Sequence, residues 1–109
     1  MRVLDFIVDG QILTKNPSCN FDGIVPGTSG YLQARFSFSP EWNGFVKAVS
    51  FWRGKQECTP QLLRDGQTCI ISADALTGKS FGVSVVGKKG NQVIYTSRVD
   101  VTQNGGGAQ

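Results

Sequence analysis

The sequence predicts an all-β fold: an immunoglobulin-like antiparallel β-sandwich of about seven or eight strands. Three observations carry this expectation. Apolar and polar residues alternate in recurring short runs. The clearest is Tyr31–Phe38, with Leu32, Ala34, Phe36 and Phe38 on one side and Tyr31, Gln33, Arg35 and Ser37 on the other. Fourteen glycines against four prolines supply frequent turns between such runs. The length, 109 residues, is that of one sandwich domain.

The elements follow in order. Val3–Val8 reads as the first strand, with Leu4, Phe6 and Val8 on one face and Val3 and Ile7 on the other. Asp9-Gly10 is a turn signal, and Gln11–Thr14 resumes extended structure. Residues 15–30 hold Pro17, Gly23, Pro26, Gly27 and Gly30 and read as a loop, within which the apolar pair Ile24-Val25 is expected at a sheet edge. After Tyr31–Phe38, Pro40–Gly44 makes a turn whose Asn43-Gly44 favours positive φ. Phe45–Arg53 has apolar residues at both parities, Val49 and Phe51 against Val46, Ala48 and Trp52, the pattern of a central strand covered on both sides. Pro60 demotes Lys55–Leu63 to an edge or bulged strand. Arg64-Asp65-Gly66 is expected to close a hairpin onto Thr68–Ile71, and Ala73–Leu76 one helical turn stopped at Gly78. Phe81–Val86 is a strand with Phe81, Val83 and Val85 inward, Gly87–Asn91 a hairpin loop and Val93–Val101 the last strand. Residues 1–102 therefore form a single domain, and 103–109 a flexible Gly-rich tail or the start of a linker.

Composition narrows the chemistry. A 39% apolar and 17% charged chain can build one real core. The absence of histidine removes the commonest general base and the commonest metal ligand. No apolar run approaches the roughly 18 residues of a membrane span. Asp5 interrupts any signal-peptide core, so the expectation is synthesis in the cytoplasm with an intact N-terminus. A net charge of +3 is spread along the chain, with only Lys88-Lys89 adjacent, which argues against nucleic acid as a partner. Cys19, Cys58 and Cys69 are odd in number and lack CxxC spacing, so they are expected as reduced thiols, with a Cys58–Cys69 bridge as the alternative.

Reactive motifs are weak. Gly78-Lys79-Ser80 resembles the end of a phosphate-binding loop, but Ala73 stands where the motif needs glycine and a strand is expected to follow. The eight carboxylates form no tight cluster along the chain, and the expectation is no catalytic residue, no metal and no cofactor. Cys19, in the loop Pro17–Asn20, is a thiol without an adjacent base. Trp42 and Trp52 have two readings each: buried core residues, or an exposed surface for an interface or a sugar. Trp52–Lys55 is a short match to a single-strand nucleic-acid platform.

Several landmarks stand in a distinctive order. They are Leu4–Gln11, Tyr31-Leu32, Phe36–Phe38, Glu41–Gly44, Val49–Phe51, Cys69–Ile71, Ala75-Leu76 and Phe81–Gly87. The set resembles small immunoglobulin-like modules at the N-termini of structural proteins in phages and prophages of Gram-positive bacteria, over nearly the whole chain to about Val101. The resemblance implies a virion protein made in the host cytoplasm: a non-catalytic adaptor or appendage module of tail fibre, baseplate or head fibre. A capsid decoration protein is the alternative, and a carbohydrate-binding accessory domain a further one. Implied partners are other virion proteins, further copies of the chain on a repeating scaffold, and a host-surface glycan, with no nucleic acid and no membrane. The contact residues expected on this view are Asn16, Asp22, Ile24 and Val25 in the long loop, and Lys88, Lys89 and Asn91 at the hairpin.

Overall fold

Two sheets stack face to face around a shared apolar core. The computed structural model describes residues 1–103, and residues 104–109 of the expected tail lie outside the described residues. In chain order the strands are β1 (Arg2–Asp9), β2 (Ile12–Lys15), β3 (Leu32–Phe38), β4 (Val46–Arg53), β5 (Gln56–Glu57), β6 (Gln61–Leu62), β7 (Thr68–Ile70), β8 (Ser80–Lys89), β9 (Gln92–Tyr95) and β10 (Val99–Thr102). Short 3-10 turns occupy Pro40–Trp42 and Ala73–Thr77, the second ending at Gly78 as the sequence predicts. The smaller sheet runs β2-β1-β3-β7, and the larger runs β10-β8-β4-β5 with β6 also on β4 and β9 also on β8.

Period-two patterning places the core. Leu4, Phe6 and Val8 of β1, Leu32, Ala34 and Phe36 of β3, Val49 and Phe51 of β4, and Phe81, Val83 and Val85 of β8 are all buried. The Phe6 and Phe36 rings stack at 5.2 Å across the β1–β3 pair. That pair is parallel, Arg2 opposite Leu32 through Val8 opposite Phe38, so the sandwich is antiparallel apart from this ladder. Parallel neighbours need a crossover, and β2 with the long loop provides it by returning the chain to the Arg2 end.

The loop is anchored on the core. Phe21 meets Phe6 edge-on at 5.4 Å, the Gly27 N–H donates to the Leu76 carbonyl at 2.7 Å, and Ile24 is only 1% exposed. Ile24 therefore plugs the sandwich while Val25 stays exposed, and neither pairs at an edge.

Other expectations change in the third dimension. The Asp65-Gly66 turn does not close a hairpin: β6 pairs with β4 and β7 with β3, so the chain crosses between sheets here. Asp65 accepts the Gln67 and Thr68 N–H groups at 2.9 and 2.7 Å and the Thr68 hydroxyl, while Gly66 takes φ +80. Those three donors, the hydroxyl foremost, hold the carboxyl down at about 2. Cys58 pairs in the larger sheet and Cys69 in the smaller one, and all three cysteines are free thiols. Burial pushes the Cys69 thiol up to about 12, with Asp65 adding to the shift.

The expected last strand is split into β9 and β10. Thr96 causes the break: its N–H donates to the Val85 carbonyl and its hydroxyl accepts the Val85 N–H, both at 2.9 Å. The bulge turns Ser97 toward β2, where its N–H donates to the Gln11 carbonyl and its hydroxyl accepts the Leu13 N–H. One flank of the sandwich is thereby stitched shut. β8 also extends through Lys89, leaving only Gly90-Asn91 as the hairpin turn. At the end of the described residues Gln103, read from sequence as tail, is 5% exposed and donates through its backbone and side chain to the Lys79 and Gly78 carbonyls.

Candidate interaction face

Alternation on the larger sheet gives it two unlike sides. The inward positions fill the core, and the outward ones are Val46, Ala48, Ser50 and Trp52 on β4 against Lys88, Val86, Ser84 and Gly82 on β8. Neighbouring strands extend these rows. Leu62, Ala48, Val86 and Tyr95 stand side by side across four strands, and Val46, Lys88 and Val93 form the next row. No layer covers them among the described residues: Val46 is 64% exposed, Leu62 57%, Val93 49% and Tyr95 66%. The sequence pattern on β4 is thus real, but its second apolar face is open.

Next to the apolar rows lies a polar–aromatic groove of about 340 Å³ lined by Ser50, Trp52, Glu57, Ser84 and Tyr95. Buried Ser50 donates its hydroxyl to the Glu57 carboxylate. The Trp52 indole N–H donates to Ser84 Oγ at 3.0 Å. Arg98 lies 5.4 Å from the Trp52 ring, held by Asp100 at 2.9 Å and the Gly54 carbonyl at 2.8 Å. Gly82 makes room for it, since a Cβ there would stand 2.2 Å from Arg98 Nε.

The expected contact residues divide between opposite ends of the sandwich. Asn16 and Asp22 belong to the long loop, where Asn16 Oδ1 accepts the Ser18 N–H and the Asp22 carbonyl accepts Arg2. Val25 is exposed beside them, whereas Ile24 is core and unavailable to a partner. Lys88, Lys89 and Asn91 lie at the other end, near Trp42, which packs on Gly87. Lys88 points outward into the Val46–Val93 row, while Lys89 lies 5.9 Å from the Phe45 ring. Only Lys88 of that group joins the open face. Its exposed apolar members Val46, Leu62, Val93 and Tyr95 are not among the expected contact residues, because outward parity alone does not say whether a second layer lies above.

The two tryptophans separate cleanly. Trp42 is fully buried, donating Nε1–H to the Gly10 carbonyl at 2.8 Å, and Trp52 is half-buried on the open face. Ser80 after Gly78-Lys79 opens a strand, so no helix N-terminus is present to receive phosphate. Asp5 is engaged by Arg35 across β1 and β3 at 2.6 and 3.0 Å, which raises the Arg35 pKa. Compared with known families and curated proteins, the chain matches no family model and no curated sequence.

Proposed function

We propose that this chain is a non-catalytic structural building block of a bacteriophage particle, an adaptor or appendage module of tail fibre, baseplate or head fibre that docks through the open face of its larger sheet. One observation carries the reading: four large apolar side chains, Val46, Leu62, Val93 and Tyr95, stand about half to two-thirds exposed on a single sheet face. Contiguous apolar surface of this kind marks contact sites on soluble domains. The virion setting rests on the sequence resemblance.

The test is quantitative mass spectrometry of particles purified from a host that carries this coding sequence. Presence in intact particles at fixed stoichiometry supports the reading, and absence from them refutes it. Copy number decides between locations, since tens of copies or fewer indicate tail and hundreds indicate capsid decoration.

The groove favours a second reading, a glycan-binding accessory module, because Trp52 and Tyr95 line it together with Glu57. On a glycan array, binding lost in a folded Tyr95→Ala variant would support that alternative.

A further inference from the structure

We infer that the open face of the larger sheet is a self-association surface whose occupant is a second copy of this chain, packed face to face with its strands reversed. The inference rests on the proposal that this face is the docking surface, and it names the partner.

The face carries its own complement. Lys88 stands in the Val46–Val93 row and Arg64 flanks Leu62, and neither has a carboxylate within salt-bridge distance among the described residues. Six residues along β8, Gly82 lies level with Trp52, and Trp52 is opposite Glu57 on β5. Lys88 and Arg64 therefore lie roughly 20 Å along the strand direction from Glu57, at whose end the one cation over the face, Arg98, is already paired with Asp100. A two-fold axis running across the strands brings the Lys88–Arg64 end of one copy over the Glu57 end of the other.

The same operation matches size with size. The bulky row containing Leu62 and Tyr95 falls over the row of Ser50 and Ser84, where side chains are small. Four strand widths and four alternate positions give roughly 500 Å² of sheet per copy, so a pair buries on the order of 1,000 Å², the lower bound of specific interfaces. The product is a weak, concentration-dependent dimer.

The experiment is sedimentation velocity on the full chain over a concentration series, with backbone amide NMR shifts followed on dilution. Expected is a rise toward twice the monomer mass, with shifts clustered at 46–50, 86–88 and 93–95. Leu62→Glu and Tyr95→Glu, both at exposed positions, retain the wild-type thermal unfolding curve and weaken association at least tenfold. Lys88→Glu weakens it likewise, and adding Glu57→Lys recovers most of the loss. A chain that stays monomeric at about 1 mM, association untouched in the folded Tyr95→Glu variant, or shifts confined to β7 overturns the inference. Particle incorporation is read separately. Incorporation without dimerisation defeats only this inference, and dimerisation without incorporation defeats only the virion assignment.

Discussion

Gly87→Ala tests how the core is assembled at the hairpin end. A Cβ added to Gly87 would stand 2.5 Å from Trp42 Cζ3, 2.9 Å from Cε3 and 3.3 Å from Phe45. Carbon pairs normally rest at about 3.5–4.0 Å, so roughly 1 Å of overlap must be relieved. Trp42 has little room to give. It is fully buried, 5.2 Å from the Phe38 ring and 6.1 Å from Phe45, and its N–H is committed to the Gly10 carbonyl. Overpacking of this kind costs about 1–3 kcal/mol, and a displaced indole N–H adds about 1 kcal/mol. Replacing a strand glycine offsets about 0.5–1 kcal/mol of that. The net expectation is a loss of about 1–3 kcal/mol, which lowers Tm by roughly 5–15 °C for a domain of this size. Gly82→Ala is the control. Its new Cβ approaches Arg98 Nε more closely, at 2.2 Å, yet that side chain is 35% exposed and swings outward. Its cost stays within about 1 kcal/mol. Urea titration followed by near-ultraviolet circular dichroism measures both. An unchanged Gly87→Ala midpoint, or a larger loss in Gly82→Ala, would refute the packing argument.

Four further outcomes are expected. Phe36→Asp places an unpaired charge in the core and unfolds the domain, seen as loss of the β-type circular dichroism spectrum; a cooperatively folded variant would mean the inward face is misassigned. Ile24→Ala removes the plug of the long loop and costs about 2–4 kcal/mol in chemical denaturation, against less than about 0.5 kcal/mol if that loop were merely surface. Because the folded Asp65 pKa is depressed to about 2, its contribution is complete above about pH 4 and disappears as pH falls through the folded value; the wild-type advantage over Asp65→Asn should shrink over that window, and a constant difference down to pH 2 would contradict the turn geometry. Cys69, with its thiol pushed up to about 12, should resist iodoacetamide in the native state at about pH 8 and react only after unfolding.

What was legible in the sequence was parity. Leu4, Phe6 and Val8, or Phe81, Val83 and Val85, needed only the pleat to be assigned inward, and all are buried. Connectivity was not legible, because it depends on hydrogen bonds between distant segments. Asp65-Gly66 carries an ordinary hairpin signal, yet whether Thr68–Ile70 folds back on β6 or crosses to β3 is decided by the Leu32 and Phe36 ladder partners. Thr96 gives no local sign of a bulge, since its hydroxyl acts only once Val85 is alongside. Likewise Ile24 reads as an edge residue until the sandwich supplies a hole for it. The open face was half legible: Val46, Ala48 and Trp52 announced a second apolar side to β4, but only the assembled sheet reveals that Leu62, Val93 and Tyr95 join it uncovered.

The treatment of the sheet margins supports the proposal that association runs through a face. On one flank, Gln11, Leu13 and Ser97 tie β2 to the β9–β10 margin, so those backbone groups are spent within the chain. On the other, the larger sheet ends in β5 and β6, two short pieces separated at Pro60, which has no N–H to donate to an added strand. The smaller sheet ends in β7. There the ladder bonds of Gln67 and Ile71 to β3 turn the Thr68 N–H outward, and Asp65 has already claimed it. Of the outward backbone donors of this three-residue edge only the Ile70 N–H is left, so both flanks offer little length for strand addition. The outward rows of β4, β6, β8 and β9 expose Val46, Leu62, Val93 and Tyr95 where a solvent face would carry Thr, Lys or Glu, with Lys88 the one charged side chain in their two apolar rows. Blunted edges beside exposed Val46, Leu62, Val93 and Tyr95 are the pattern the proposed stacking through that face requires.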